Sequence, residues 1–252
     1  MENNNIIRIE NLTKYYKGSA IPALNNIYLS VAQKEIFGIL GTNGAGKTTL
    51  ISILCGLLYP TDGKVYINNK DLHQNLKSIK KIIGIVPQDI ALYPTLSGKE
   101  NLQFFGNVYG LSGKHLKELI YECAEKLGIE KYIDKKINTY SGGMKRRINI
   151  IAGILHQPEI LFLDEPTVGI DVFSKKIIID YLKELNRKGT TIIYTSHLMQ
   201  EAESFCSFVA IIDKGSIITM GKTNDLIADS KKADLEELFL QITRNDESFK
   251  LT

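Results

Sequence analysis

The chain has 252 residues, 44% of them hydrophobic and 23% charged, and a formal net charge of only +3. That length can bury a sizeable core, as one large domain or a domain with a subdomain, and a charge so near neutral makes no demand for nucleic acid. Cys55, Cys123 and Cys206, and likewise His73, His115, His156 and His197, are too dispersed for a disulfide framework or a histidine metal site.

The cysteines are therefore expected as small buried apolar residues in a reducing cytosol. The first five residues are polar and carry no signal-peptide stretch. Apolar runs such as 208–212 fall far short of the ~20 residues that span a bilayer. The chain is expected not to cross a membrane by itself, though it can dock onto a protein that does.

In chain order, residues 6–9, 27–31 and 35–40 read as strands, being short, β-branched or apolar and separated by polar turns. The third runs into Gly41-Thr42-Asn43-Gly44-Ala45-Gly46-Lys47-Thr48, followed by Thr49. This is the P-loop pattern. Its glycines let backbone N–H groups turn toward phosphate oxygens, Lys47 supplies a point charge, and the Thr48 hydroxyl can ligate Mg²⁺. Residues 47–58 carry helical apolar spacing at Leu50, Ile51, Leu54, Leu57 and Leu58, and the helix start adds its positive dipole end. Residues 60–63 signal a turn, and 65–67 and 82–86 are further strands.

From about residue 89 to 157 strand signals vanish, and helices are expected over 98–105, 114–127 and 141–155. The run Lys145-Arg146-Arg147 in the last of these reads as a solvated helix face. βα alternation then resumes, with strands at 160–164 and 190–195 and helices at 173–186 and 198–205, which argues for a parallel sheet with helical crossovers. Residues 208–212 and 216–220 flank Asp213-Lys214-Gly215 as a hairpin, and Leu235, Leu238, Phe239 and Ile242 mark a final amphipathic segment expected to pack on its own domain.

Leu161-Phe162-Leu163-Asp164-Glu165 is an apolar strand tipped by two carboxylates. A buried strand with acids only at its end aims them at a site: Asp164 toward Mg²⁺, and Glu165 toward the water that attacks a phosphoryl group. Tyr140-Ser141-Gly142-Gly143-Met144 lies upstream. Ser141 is a good N-cap, and a helix that begins there offers free N–H groups to an anion. Two successive glycines cost helix stability unless a close approach requires them.

These motifs, in this order, resemble the ATP-binding cassette (ABC) ATPases over about residues 6–228. Ser141-Gly142-Gly143 matches the family signature. Tyr140 stands where the family commonly has Leu, and Met144 where it has Gln, a version similar to the ABC-2 type exporters of drugs, lantibiotics and polysaccharides. The ending Leu235-Glu236-Glu237-Leu238-Phe239 resembles the same subgroup.

The resemblance implies an α/β P-loop NTPase core with a mostly parallel sheet, an N-terminal antiparallel β subdomain and an inserted helical subdomain. The ATPase domain would span residues 1–229, with core and β subdomain at 1–88 and 158–229, the helical subdomain at 89–157, and a C-terminal helix and tail at 230–252. It implies ATP and Mg²⁺ as ligands, with Thr48, Gln88 and Asp164 toward the metal. Glu165, His197 and Gln88 become the catalytic set, His197 as the switch histidine at the γ-phosphate. Asp171, in Gly169-Ile170-Asp171, is placed in the D-loop, and Ser141, Gly142 and Gly143 act in trans. Tyr16 would stack on adenine, and Tyr15 beside it stays open as the alternative.

The implied partners are a second copy or a related cassette, in a head-to-tail pair, and separate multi-span membrane subunits docking near Tyr93, Leu96, Phe104 and Phe105, where core packing is an equal reading of the aromatics. The implied place is cytoplasmic, peripheral at the inner face of the cell membrane. No sustained heptads separate Lys47 from Ser141, which speaks against chromosome-type relatives with long coiled coils. The alternative is a soluble ABC-type ATPase or a regulatory ATP-binding module.

Overall fold

The computed structural model describes residues 5–245. Its elements are β1 (Asn5–Lys14), β2 (Leu24–Ala32), β3 (Ile36–Leu40), α1 (Lys47–Leu54), β4 (Asp62–Ile67), β5 (Lys70–Asp71), α2 (Leu76–Ile79), β6 (Ile83–Val86), α3 (Gly98–Val108), α4 (Gly113–Lys126), α5 (Gly142–Ile154), β7 (Ile160–Asp164), α6 (Val172–Arg187), β8 (Thr191–Ser196), α7 (Met199–Phe205), β9 (Phe208–Asp213), β10 (Ser216–Lys222), α8 (Thr223–Ser230) and α9 (Leu235–Asn245). Two compact units divide the chain: residues up to 79 with those from 193 onward, and residues 80–192.

In the first unit, β2-β1-β4-β5 form an antiparallel sheet. β2 alternates, burying Leu24, Ile27, Leu29 and Val31 and turning polar residues outward, as a half-solvated antiparallel strand should. A second sheet takes the order β10-β9-β3-β8 in this unit. β3 and β9 run parallel, from Phe37 opposite Phe208 to Leu40 opposite Ile211. Every residue of β3 is buried, the pattern of a parallel strand covered on both faces. The β9–β10 hairpin turns through Lys214 and Gly215, both at positive φ, which is what a two-residue turn matching the strand twist needs.

α1 stops at Leu54, short of the expected 58. The Gly56 N–H bonds the carbonyl of Ile53, and the Leu57 N–H bonds that of Ser52. With Gly56 at φ +66° this is a Schellman ending, and it overrides the apolar spacing that continues to Leu58.

In the second unit, β6 and β7 pair in parallel, with Val86 opposite Leu163. Between residues 89 and 157 the described elements are α3, α4, α5 and short 3-10 turns at Glu130–Tyr132 and Ile137–Thr139. α3 opens with a capping box between Ser97 and Glu100. α5 is buried nearly all round, from Arg146 to Ile154, and is the unit's central helix.

That burial corrects the reading of the basic run. Arg146 and Arg147 are 5% and 8% exposed rather than solvated. Arg147 donates to the carbonyls of Gly143, Leu127 and Gly128, satisfying orphan acceptors where α4 ends. Tyr140 is a buried strut whose hydroxyl donates to the Tyr132 carbonyl at 2.5 Å, and burial pushes its phenol up to about 12. The cysteines are free and buried, as expected. β5, α2 and α8 were not anticipated; each is short and mostly polar, with no apolar period to read. Of the expected C-terminal segment, residues 246–252 lie outside the described part.

Candidate functional site

In the first unit the buried strand β3 delivers the chain at Leu40 into the glycine loop, and α1 starts at Lys47. Gly46 caps α1 at φ +111°, with no side chain bonded to the helix start. A Cβ there would lie 2.7 Å from the Ala23 carbonyl oxygen, so both the backbone angle and the space demand glycine. The Lys47 side chain is buried, and its Nζ donates to the carbonyls of Gly41 and Thr42 at 2.9 and 3.0 Å. A buried ammonium at a helix start that no side chain caps fits a polyphosphate chain.

The Gly41 N–H reaches the Ser196 carbonyl at 3.3 Å, which ties the loop to the end of β8 and so to His197. The Ser196 hydroxyl accepts from the Leu198 N–H and fixes the turn into α7. Tyr16 meets the start of α1 through its hydroxyl, 3.2 Å from that of Thr49, and Lys14 Nζ lies 5.7 Å from its ring centre. The backbone N–H of Tyr15 donates instead to the Thr61 hydroxyl. Both rings are more than 40% exposed, and it is the Tyr16 side chain that meets α1.

In the second unit β7 is buried along its length and ends in Asp164, with Glu165 following; both are nearly enclosed. Glu165 adopts φ +46°, a left-handed backbone that costs a residue with a long side chain on the order of 1–3 kcal/mol. Such strain persists only where the surroundings hold it, and it clusters at functional sites. Gln88 is exposed, two residues past the end of β6. Its carbonyl, and that of Pro87, accept from the Arg146 guanidinium.

Ser141 caps α5, its hydroxyl accepting from the Met144 N–H at 3.3 Å, and both Ser141 and Gly142 are exposed. The next glycine has a reason internal to the chain. A Cβ on Gly143 would lie 2.2 Å from the Ser174 hydroxyl and 3.0 Å from a carboxylate oxygen of Asp171. Gly142 meets nothing closer than a carbonyl at 3.9 Å. The close approach expected of both glycines is thus a packing contact at Gly143 and open space at Gly142. Asp171 caps α6, accepting from the Ser174 N–H at 2.8 Å, and the Ser174 hydrogen bonds hold its carboxyl below the usual range.

Gly143→Ala is expected to overpack this joint at a cost of about 1–3 kcal/mol, lowering Tm by several degrees. Gly142→Ala should leave Tm unchanged or slightly raised, since alanine favours the helix. Thermal melts of the two variants check the asymmetry, and equal shifts would contradict it.

Among the described residues no group of three or more His, Cys, Asp or Glu side chains could hold a metal on its own. Arg146, like Arg147, is a residue that sequence reasoning placed wrongly. A signal was present: it shares a helix face with Ile150 and Gly153, four and seven positions on, among buried residues.

The family model described as ABC transporter matches residues 24–168. A second, described as "AAA domain, putative AbiEii toxin, Type IV TA system", matches only residues 135–202. The chain is 45% identical over 221 residues to the linearmycin resistance ATP-binding protein LnrL of Bacillus subtilis, covering 88% of this chain and 70% of the relative. It is 32% identical over 225 residues to the ABC transporter ATP-binding protein NatA of the same organism, covering 89% and 92%.

Among solved structures, an ATP-binding subunit of an ABC transporter superimposes with a TM-score of 0.85 at 25% identity, covering 94% of this chain and 99% of that one. The cassette MJ0796, as a post-hydrolysis dimer bound to ADP and Pi, superimposes with a TM-score of 0.79 at 30% identity, covering 86% and 98%. With the P-loop, the carboxylate-tipped strand and the capped glycine signature all in place, the chain belongs to the ABC transporter family, as one of its ATP-binding, ATP-hydrolysing cassettes.

Proposed function

We propose that this cassette powers an exporter by pairing head to tail with a second copy, so that each ATP sits between the phosphate loop of one chain and the signature of the other. The observation that carries this reading is the exposed Ser141–Gly142 helix start in a chain that already has its own phosphate loop. One nucleotide needs one such loop; a second anion-ready helix start, uncovered, calls for a partner's nucleotide. The dimeric MJ0796 structure supports the pairing, and the resistance name of the LnrL relative supports the direction.

In this reading residues 41–49 cradle the phosphates, and Lys47 supplies charge to the β- and γ-phosphates. Tyr16 stacks on adenine, favoured over Tyr15 by its bond to Thr49. Thr48, Gln88 and Asp164 are the side chains that would hold Mg²⁺, which when bound offsets phosphate charge. Glu165 orients the attacking water and accepts its proton, His197 donates to the γ-phosphate, and Asp171 lines the pair's seam. ATP closes the pair only to the extent that it binds the closed state more tightly than the open one, and hydrolysis reopens it.

No helix among the described residues is long and apolar enough to cross a membrane. In this reading, which rests on the transporter relatives, the cassette drives separate membrane subunits from the inner face of the membrane. Tyr93 and Phe104 support a docking surface there. They touch edge to face at 5.1 Å and are 47% and 43% exposed, with Val108 exposed on the same helix as Phe104.

Ser141→Arg should lower turnover by roughly 100-fold or more, the effect of spoiling one transition-state anion site, with little change in nucleotide binding to the single chain. Mixing Ser141→Arg with Lys47→Ala chains should restore turnover that neither shows alone, because the mixed pair holds one intact composite site. Failure to restore any turnover would sink the shared-site reading.

A further inference from the structure

α5 begins at the signature and carries Arg146 in its second turn. The guanidinium is nearly enclosed and forks onto two successive carbonyls, Nη1 donating to Pro87 at 2.8 Å and Nη2 to Gln88 at 2.5 Å. Its Nε has no acceptor among the described residues. Asn149, three positions on, adds a longer bond from its side-chain amide to the Pro87 carbonyl.

The segment so gripped has little else to fix it. β6 ends at Val86, so the ladder stops before Pro87, and proline has no N–H to give. The Gln88 side chain is exposed while its backbone is anchored from α5. Burial pulls the Arg146 guanidinium down from its ordinary value, and the charges of Asp89 and Asp164 offset part of that. Carrying a charge into this position costs desolvation, and a planar fork recovers it from two adjacent carbonyls in a way the point-like ammonium of lysine does not.

We propose that Arg146 is a positioning residue for Gln88, a rigid strut through which an anion seated on the signature helix sets the backbone that presents Gln88. This rests on the roles proposed above for Gln88 and for Ser141–Gly143. The strut is short: Ser141 and Arg146 lie on one helix, and the guanidinium reaches the Gln88 peptide without an intermediate side chain. A shift of α5 on engagement of its N-terminus is thereby passed to Gln88 directly.

The test is a double-mutant cycle in the full chain with Arg146→Lys and Gln88→Ala, reading Mg-ATP turnover, ATP affinity and Tm. Arg146→Lys alone should lower kcat about tenfold, leave ATP affinity of the single chain within about twofold, and raise the Mg²⁺ concentration for half-maximal turnover. In the Gln88→Ala background the same substitution should cost little more, because its effect runs through Gln88. If the two losses multiply independently, or if ATP affinity falls in step with kcat, Arg146 is merely structural and the proposal is overturned.

Gln88→Ala with undiminished turnover would instead overturn the underlying role of Gln88, and is read separately from that single variant. Should Arg146→Lys fail to fold, Arg146→Gln takes its place in the cycle, keeping one donor nitrogen toward the two carbonyls and losing the charged fork. The same pattern of non-additivity is then expected and the same additivity overturns it.

Discussion

Glu165→Gln is expected to lower ATP turnover by about 10²–10⁴-fold, the range removed with a positioned general base, while ATP binding persists. Glutamine keeps the shape and hydrogen-bonding reach of the side chain but cannot accept the proton of an attacking water. The site is prepared for that one group. A buried strand of Ile160, Leu161, Phe162 and Leu163 ends in Asp164, and the next residue holds a left-handed backbone at φ +46°. The substitution retains the strain and the burial, so Tm without nucleotide should change by no more than ~2–4 °C for a loss below 1 kcal/mol. With hydrolysis blocked, ATP-bound pairs should accumulate. Sizing chromatography with Mg-ATP should show a dimer for this variant and a mostly monomeric protein without nucleotide. A variant that stays strictly monomeric with ATP, or that turns over normally, would contradict the assignment.

What could be read in the sequence and what could not divides along a physical line. The glycine loop was legible because its conformation needs particular residues: Gly44 and Gly46 sit at φ +81° and +111°, and few other residues go there. β3 and β7 were legible because a strand buried on both faces is an unbroken apolar run. Arg146 and Arg147 were misplaced because their acceptors are backbone carbonyls contributed by distant segments, at Pro87, Gln88, Leu127 and Gly128. A carbonyl has no residue identity, so no pattern announces it. The left-handed turn at Glu165 is hidden for the same reason, being imposed by the fold on a residue that does not favour it. Gly143 shows a third case: its requirement was visible, but the atom it makes room for, the Ser174 hydroxyl, was not.

Lys47→Ala is expected to act on binding itself. Lys47 is 4% exposed, and without nucleotide its ammonium already holds the loop together through the carbonyls of Gly41 and Thr42. Hydrogen bonds to a charged group contribute about 1.5–3 kcal/mol, so losing those to the phosphate chain should weaken ATP affinity by roughly 10–150-fold at RT of about 0.6 kcal/mol. Two consequences separate this from simple unfolding. The stabilisation that saturating ATP gives the normal chain, which follows its affinity, should largely vanish at the same ATP concentration in the variant. The Tm without nucleotide should fall by less, since Gly46 still fixes the turn and the buried face of α1 at Leu50, Ile53 and Leu54 still packs. Lys47→Arg should not rescue, because a planar fork cannot take the place of a compact ammonium between two loop carbonyls and a phosphate. Calorimetric titration with ATP measures the affinity directly, and an unchanged value would remove Lys47 from the site.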